Sequence, residues 1–214
     1  MRQACIAREG WKLTIPSLAL FFVLLSLHFW SLAAPVFLFC AFCLYFFRNP
    51  RRETAAGREA LISPADGRVT EIKDMVEPEF VGGECKRISI FMSPTDVHVN
   101  RAPCEGRIVR MVHRAGDFAL AFKKDIDKEN ERNYILLDRE GEKILLVQIA
   151  GFLARRIIPY VKENDQVKRG EPVGIIAFGS RVDIYFPKMY ESMVQLHEKV
   201  KAGLTPLAQK KGSL

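Results

Sequence analysis

Four short segments carry residue types that can do chemistry. They are Ser63-Pro64-Ala65-Asp66-Gly67, Ser93-Pro94-Thr95-Asp96-Val97-His98-Val99-Asn100-Arg101, Glu129-Asn130-Glu131-Arg132-Asn133 and Phe178-Gly179-Ser180. Gly179 gives the backbone the freedom that lets the Ser180 hydroxyl approach the carbonyl preceding it. Asp66 offers a carboxylate, and His98 an imidazole that exchanges protons near neutral pH. Each segment is also an ordinary piece of chain, because Asp-Gly and Gly-Ser are common turns and a lone histidine is more often structural than catalytic. A catalytic set gathered from separate loops on a β scaffold looks like this, and so does a set of unrelated turns.

The elements that must position these residues read as short strands. Gly67 to Ile72, Arg87 to Met92, Gly106 to Val112, Asn133 to Asp138, Lys143 to Ala150, Val173 to Ala177 and Val182 to Phe186 are brief apolar or alternating runs between Gly, Pro, Asn and Asp. Asn164-Asp165 and Arg169-Gly170 supply turns inside Tyr160 to Ile176. Together with Gly67-Arg68-Val69, that stretch is similar to the half-motifs of biotinyl and lipoyl carrier domains. The fold expected is mainly β (α+β), a barrel-sandwich-like domain with an apolar helical hairpin in front and a short C-terminal helix over Pro187 to Ala202. The tail from Pro206 to Leu214 reads as polar and loose. A carrier needs a lysine displayed on a tight hairpin, and Lys188 in Phe186-Pro187-Lys188-Met189 is a poor candidate.

Composition narrows the partners. Among 214 residues 27% are charged and 49% apolar, the balance of a folded protein. A formal charge of +7 admits nucleic acid, an anionic membrane or an acidic small molecule. Nucleic acid is disfavoured, because no binding motif and no aromatics interleaved with basic residues accompany the charge. Five cysteines, an odd number without secreted-domain spacing, point to free thiols in a reducing compartment. Cys40 and Cys43 form a CxxC inside an apolar run, which reads as packing, and no metal site is expected.

Leu13 to Phe47 contains no Asp, Glu, Lys or Arg. One spanning helix needs about 20 residues, so the run divides into arms at Leu13 to Trp30 and Pro35 to Phe47, with the break at Ser31 to Pro35. Arg2, Arg8 and Lys12 precede it and Arg48, Arg51 and Arg52 follow it. Positive residues favour the cytoplasmic side, so both ends belong inside, and the second arm either spans or is re-entrant. The Arg-rich segment after the run is not a signal-peptide cleavage site. The division expected is a membrane-anchoring hairpin over 1-52, at the inner cell membrane, and a β-rich cytoplasmic domain over 53-214.

The order of an apolar hairpin, F-F-R-N-P-R-R, S-P-A-D-G, S-P-T-D-V-H-V-N-R-A-P, E-N-E-R-N and a late F-G-S resembles the short bacterial and archaeal form of phosphatidylserine decarboxylase over nearly the whole chain. The resemblance implies a zymogen of phospholipid biosynthesis that cuts itself between Gly179 and Ser180. Residues 1-179 become the large chain, and 180-214 the small chain, whose Ser180 is converted to a covalent pyruvoyl cofactor. That ketone is implied to form a Schiff base with phosphatidylserine and to accept the electrons released as carbon dioxide leaves, with no external cofactor.

Site roles follow from the same resemblance. Asp66 is implied to help activate Ser180 during cleavage, and His98 to aid decarboxylation or reprotonation. Longer family members carry a second histidine three residues after the first, as the base of an Asp-His-Ser arrangement. Here Arg101 stands in its place, and a guanidinium stays protonated. Three assignments of the cleavage base stay open: His98 serves both steps, His113 substitutes, or Asp66 acts alone. Arg101 is a candidate for holding a substrate carboxylate or phosphate, while His28 and His197 read as structural. The implied partners are the lipid substrate, the bilayer, the two chains of one precursor and a possible second copy. Arg48, Arg51, Arg52, Arg155 and Arg156 favour an anionic leaflet, by about 1 kcal/mol each near the surface.

Overall fold

Strand β11 (Ser180–Pro187) sends Ser180, Val182, Ile184 and Phe186, none with exposed surface, to one face and Arg181, Asp183 and Tyr185 to the other. That is the period-two pattern of a strand with a packed inner face. The computed structural model containing it describes residues 5–116, 130–151, 156–176 and 180–212. The chain forms two compact units, Met1–Arg51 and Arg52–Leu214.

In the first unit, α1 (Arg8–Ser26) and α2 (Trp30–Phe46) pair as a hairpin. Small residues let the helices approach. Thr14 and Ser17 of α1 and Ala33 and Cys40 of α2 are buried, and a Cβ on Gly10 would lie 2.5 Å from the Phe47 Cβ. Apolar side chains point outward instead, and Ile15, Phe22, Trp30 and Leu38 each expose more than half of their surface. α1 is long and apolar enough to cross a membrane, and α2, with 17 residues, is shorter. The break falls at Leu27 to Phe29, not at Ser31 to Pro35. His28 takes a left-handed φ of 61°, and the Leu27 and Phe29 amides bond back to the Val23 and Leu24 carbonyls. Pro35 lies inside α2, where its missing N–H costs a single helical hydrogen bond.

The second unit is built on an eight-stranded antiparallel sheet. Its order is β13 (Lys199–Val200), β2 (Gly67–Glu77), β3 (Gly83–Met92), β11, β7 (Glu142–Ala150), β6 (Arg132–Arg139), β5 (Gly106–Arg114) and β9 (Gln166–Val167). Two three-stranded sheets accompany it: β1 (Ala60–Ile62), β14 (Pro206–Lys210) and β12 (Tyr190–Ser192), and β4 (Val99–Arg101), β10 (Pro172–Ile176) and β8 (Ile157–Pro159). The inner face joins one core, with Ile88, Ile90, Ile135, Leu137, Ile144, Leu146, Val182 and Ile184 among its members. On the outer face Leu136, Leu145, Val147 and Ile149 pack with Phe80, whose ring stacks on Tyr134 at 4.9 Å.

The expected strands are present over the described residues, Ala177 lying outside them, with β2 and β3 extended into a long hairpin, but the C-terminal helix is not. Met189, Met193 and Leu196 repeat at helical spacing yet are about half exposed, whereas Tyr190, Val194 and Val200 are buried. Tyr190 to Ser192 pair with β14, and His197 takes φ 68°, which no helix admits. The tail is not loose either. β14 lies between β1 and β12 with Leu207 and Ala208 fully buried, so a partner strand outweighed its polar composition. Leu207→Ala should cost about 3 kcal/mol and lower the thermal midpoint by roughly 6 to 12 °C. A melt unchanged to within about 1 °C would return the tail to the loose reading.

Candidate active site

Ser180 opens β11, an interior strand of the large sheet hydrogen-bonded on both sides. It faces Met92 of β3 and Ala150 of β7, has no exposed surface, and its Oγ donates to the Met92 Sδ at 3.3 Å. Arg181 and Asp183 pair with each other at 2.9 Å on the opposite face and stay outside the site. Gly179 and Phe178 lie outside the described residues, as do Glu129 and Arg155.

The Asp66-Gly67 turn starts β2 beside the same row. A Cβ on Gly67 would lie 2.1 Å from the Phe91 carbonyl oxygen at a φ of 153°, so only glycine fits there. Asp66 is clamped. Arg52 grips both carboxylate oxygens, the Nη2 to Oδ2 distance being 2.8 Å, and the Ala202 amide donates to Oδ1 at 2.8 Å. Arg52 also donates to the Ala202 carbonyl at 2.7 Å. A planar fork of this kind is the strong form of an ion pair, and it explains the last arginine of F-F-R-N-P-R-R. Arg52 is therefore committed to Asp66 and not to a lipid leaflet.

His98 is fully buried at the head of β4, and its Nδ1 lies 3.0 Å from the Asp96 carbonyl. A carbonyl only accepts, so Nδ1 carries the hydrogen and Nε2 is the basic nitrogen of the neutral ring. The His98 carbonyl accepts from Ile176 at 3.4 Å, and Asn100, two residues further on, faces the Met92 sulfur that takes the Ser180 hydroxyl.

Arg101 is 1% exposed, with its amide bonded to the Pro64 carbonyl and its Nη1 to the Gly170 carbonyl at 2.8 Å. Burial, then the neighbouring Arg52 charge, pushes its guanidinium down to about 10, and Asp66 opposes that shift. His113 lies on β5 with half of its side chain exposed and its Nε2 3.5 Å from Glu131. Three strand spacings separate β5 from β11, roughly 14 Å along the sheet. The structure thus places Asp66 at the head of β2 and His98 and Arg101 on either side of Asn100, which shares the Met92 sulfur with Ser180, and leaves His113 three strands away.

The E-N-E-R-N segment works through its amides. Asn130 Nδ2 donates to the Ala150 carbonyl at 2.8 Å, the Ala150 amide donates to the Glu131 carbonyl at 3.0 Å, and Asn133 Nδ2 donates to Gln148 Oε1 at 2.9 Å. Gln148 in turn donates to Asn100 Oδ1 at 2.8 Å. Sequence reasoning passed over Gln148, although a signal was there: Ile144, Leu146, Gln148 and Ala150 share one phase of β7, which puts the amide inside. Among the described residues no cluster of His, Cys, Asp and Glu could hold a metal ion. A groove of about 720 Å³, lined by Arg58, Arg107, Asp138 and Arg139, opens at the far end of β5 and β6 from Ser180 and has no part in this chemistry.

Comparison with known proteins agrees with this convergence, since the phosphatidylserine decarboxylase family profile matches residues 39–208. The chain belongs to the phosphatidylserine decarboxylase family. A phosphatidylserine decarboxylase proenzyme of Carboxydothermus hydrogenoformans is 44% identical over 187 residues, 87% of each chain. Those of Syntrophus aciditrophicus and Symbiobacterium thermophilum are 41% identical over 94% of this chain and 96% of the relative, and 37% identical over 98% and 97%.

Within the family's site the Arg52 clamp is the contact most exposed to test. Arg52→Ala leaves the Asp66 carboxylate without its fork and should destabilise the second unit by roughly 3 to 5 kcal/mol. Arg51→Ala, at an exposed position, should change stability by less than about 0.5 kcal/mol. Urea unfolding of both variants in detergent measures the difference, and equal midpoints would remove the clamp from the account.

Proposed function

We propose that this chain is a proenzyme that cuts itself between Gly179 and Ser180 and then decarboxylates phosphatidylserine to phosphatidylethanolamine, serving phospholipid biosynthesis. The observation that carries the reading is the burial of Ser180 at the head of the central strand, with three other sequence motifs converging on its neighbours. In self-cleavage the Ser180 Oγ gives up its proton and attacks the Gly179 carbonyl, and the peptide C–N bond breaks as an ester forms. Loss of the Ser180 Cα proton then breaks the Cβ–Oγ bond and releases residues 1–179 as a carboxylate. Water hydrolyses the remaining enamine to a ketone, and ammonia leaves.

Position 180 suits a small covalent keto group, being dry and faced by a thioether and the amide behind it. A pyruvoyl group there supplies the ketone that condenses with an amine and withdraws electrons as carbon dioxide departs. His98 is the proton carrier of this site, through the Nε2 that its Asp96 contact leaves basic. Asp66 acts as a positioning carboxylate, because its oxygens are occupied by Arg52 and the Ala202 amide. Arg101 anchors β4 to the Gly170 turn. The outward apolar surface of α1 and α2 suits a membrane-anchoring hairpin with the catalytic unit on the cytoplasmic side, where a diacyl lipid stays in its bilayer.

Denaturing mass spectrometry and carbon dioxide release from phosphatidylserine vesicles test the reading together. Wild type should give two chains, the smaller beginning with pyruvoyl at position 180, and Ser180→Ala one inactive chain. His98→Ala should lower decarboxylation by at least about 100-fold, while His113→Ala stays within about threefold of wild type. A single unmodified wild-type chain that releases carbon dioxide would overturn the proposal.

A further inference from the structure

Three buried side-chain amides run in series from β6 to the site. Asn133 Nδ2 donates to Gln148 Oε1 at 2.9 Å, Gln148 Nε2 donates to Asn100 Oδ1 at 2.8 Å, and Asn100 Nδ2 faces the Met92 Sδ at 3.6 Å. The same sulfur accepts the Ser180 Oγ at 3.3 Å. Asn133 is 2% exposed, and Asn100, Gln148, Met92 and Ser180 are fully buried. Space for the chain is reserved on β10, where a Cβ on Gly174 would lie 2.9 Å from the Gln148 Nε2 and 3.3 Å from its Oε1.

An amide can face a neighbour with either end, so the direction of such a chain needs a cause. The thioether supplies it. A methionine sulfur has no hydrogen to give and can only accept, so the amide end turned toward it must be the N–H. Asn100 Oδ1 is then left to accept from Gln148, and Gln148 Oε1 to accept from Asn133. Every link is satisfied in this direction, whereas in the reverse the two amide–amide links survive and the one to the sulfur is lost.

We propose that Asn133, Gln148 and Asn100 form a polarised amide relay that turns an N–H of Asn100 onto the Met92 sulfur and thereby positions the Ser180 hydroxyl for self-cleavage. The relay rests on the reading of Ser180 as the residue that is cut and converted, and it assigns that reaction positioning residues on β6, β7 and β4. Met92 is the pivot, since its sulfur takes a hydrogen from Asn100 and from Ser180 together. Reversing Asn100 would present a carbonyl to a sulfur that cannot donate to it, pushing the thioether away and with it the acceptor that holds the Ser180 Oγ in its present rotamer.

Gln148→Glu reverses the polarity without changing shape. An ionised carboxylate still accepts from Asn133 but cannot donate to Asn100, so Asn100 turns its N–H away from Met92. Protonation of that carboxyl restores a donor, and burial raises its pKa above the usual carboxylate range. The titratable groups nearest the relay in register are His98, His113 and Glu131. All three are present in wild type, whose own profile corrects for them.

Full-length precursors synthesised without cells into lipid nanodiscs, then moved to buffers from about pH 5.5 to pH 8.5, give the cleavage rate from the appearance of the small chain. Gln148→Glu should cut about tenfold more slowly than wild type at the alkaline end and recover to within about threefold at the acid end. Met92→Leu, a volume-conserving change that keeps the core packed, should cut several-fold more slowly with a profile of wild-type shape. Wild-type rates for Met92→Leu, or a folded Gln148→Glu protein whose rate relative to wild type does not change with pH, would overturn the relay. A wild-type precursor that stays whole would instead remove the reading of Ser180 on which the relay stands.

Discussion

Strand β11 is hydrogen-bonded to β3 along one edge and β7 along the other, and the proposed cut lies at its first residue. This two-sided pairing lets a chain be severed beside its active site without losing it. The segment after the cut contributes β11, β12, β13 and β14, so it holds the middle of the large sheet, one of its edges and two strands of a small sheet. Its inward residues Val182, Ile184, Phe186, Val200 and Leu207 are fully buried, and fully burying one such side chain is worth roughly 1.5 to 3 kcal/mol. The small chain is a structural component of the fold, not an appendage bearing a cofactor.

The same constraint explains why distant motifs recur together. With position 180 sealed in the core, its surroundings are built by neighbouring strands and the turns that lead into them. The Asp66 turn comes from the head of β2 and is locked by Arg52, while Ala202 and Gly203, beyond the cut, hold Asp66 and the Ser63 carbonyl. His98 arrives on β4 and the amides on β6 and β7. At Arg101, where longer members carry a histidine, the side chain is tied to the Gly170 turn.

Much of this was legible in the sequence, for physical reasons that differ by element. Strands such as 182–186 and 143–150 declared themselves by apolar runs, and the hairpin by its lack of charge. The segment 187–202 did not, because methionine and leucine at helical spacing look the same whether the chain coils or lies against β14. The reversal at His28 was hidden by Pro35, the stronger helix breaker on paper. Among site residues, Ser180, Asp66 and His98 stand in recognisable motifs. Gln148 does not, since its role depends on Gly174 and Asn100, which only folding brings to it.

The claim that the processed chain remains one folded body around β11 is tested most directly by mass spectrometry of one sample under native and then denaturing conditions. The account predicts a single native particle containing residues 1–179 and 180–214, resolving into two chains only when the sheet is unfolded. A native particle lacking the small chain, or two chains that part without denaturant, would contradict it.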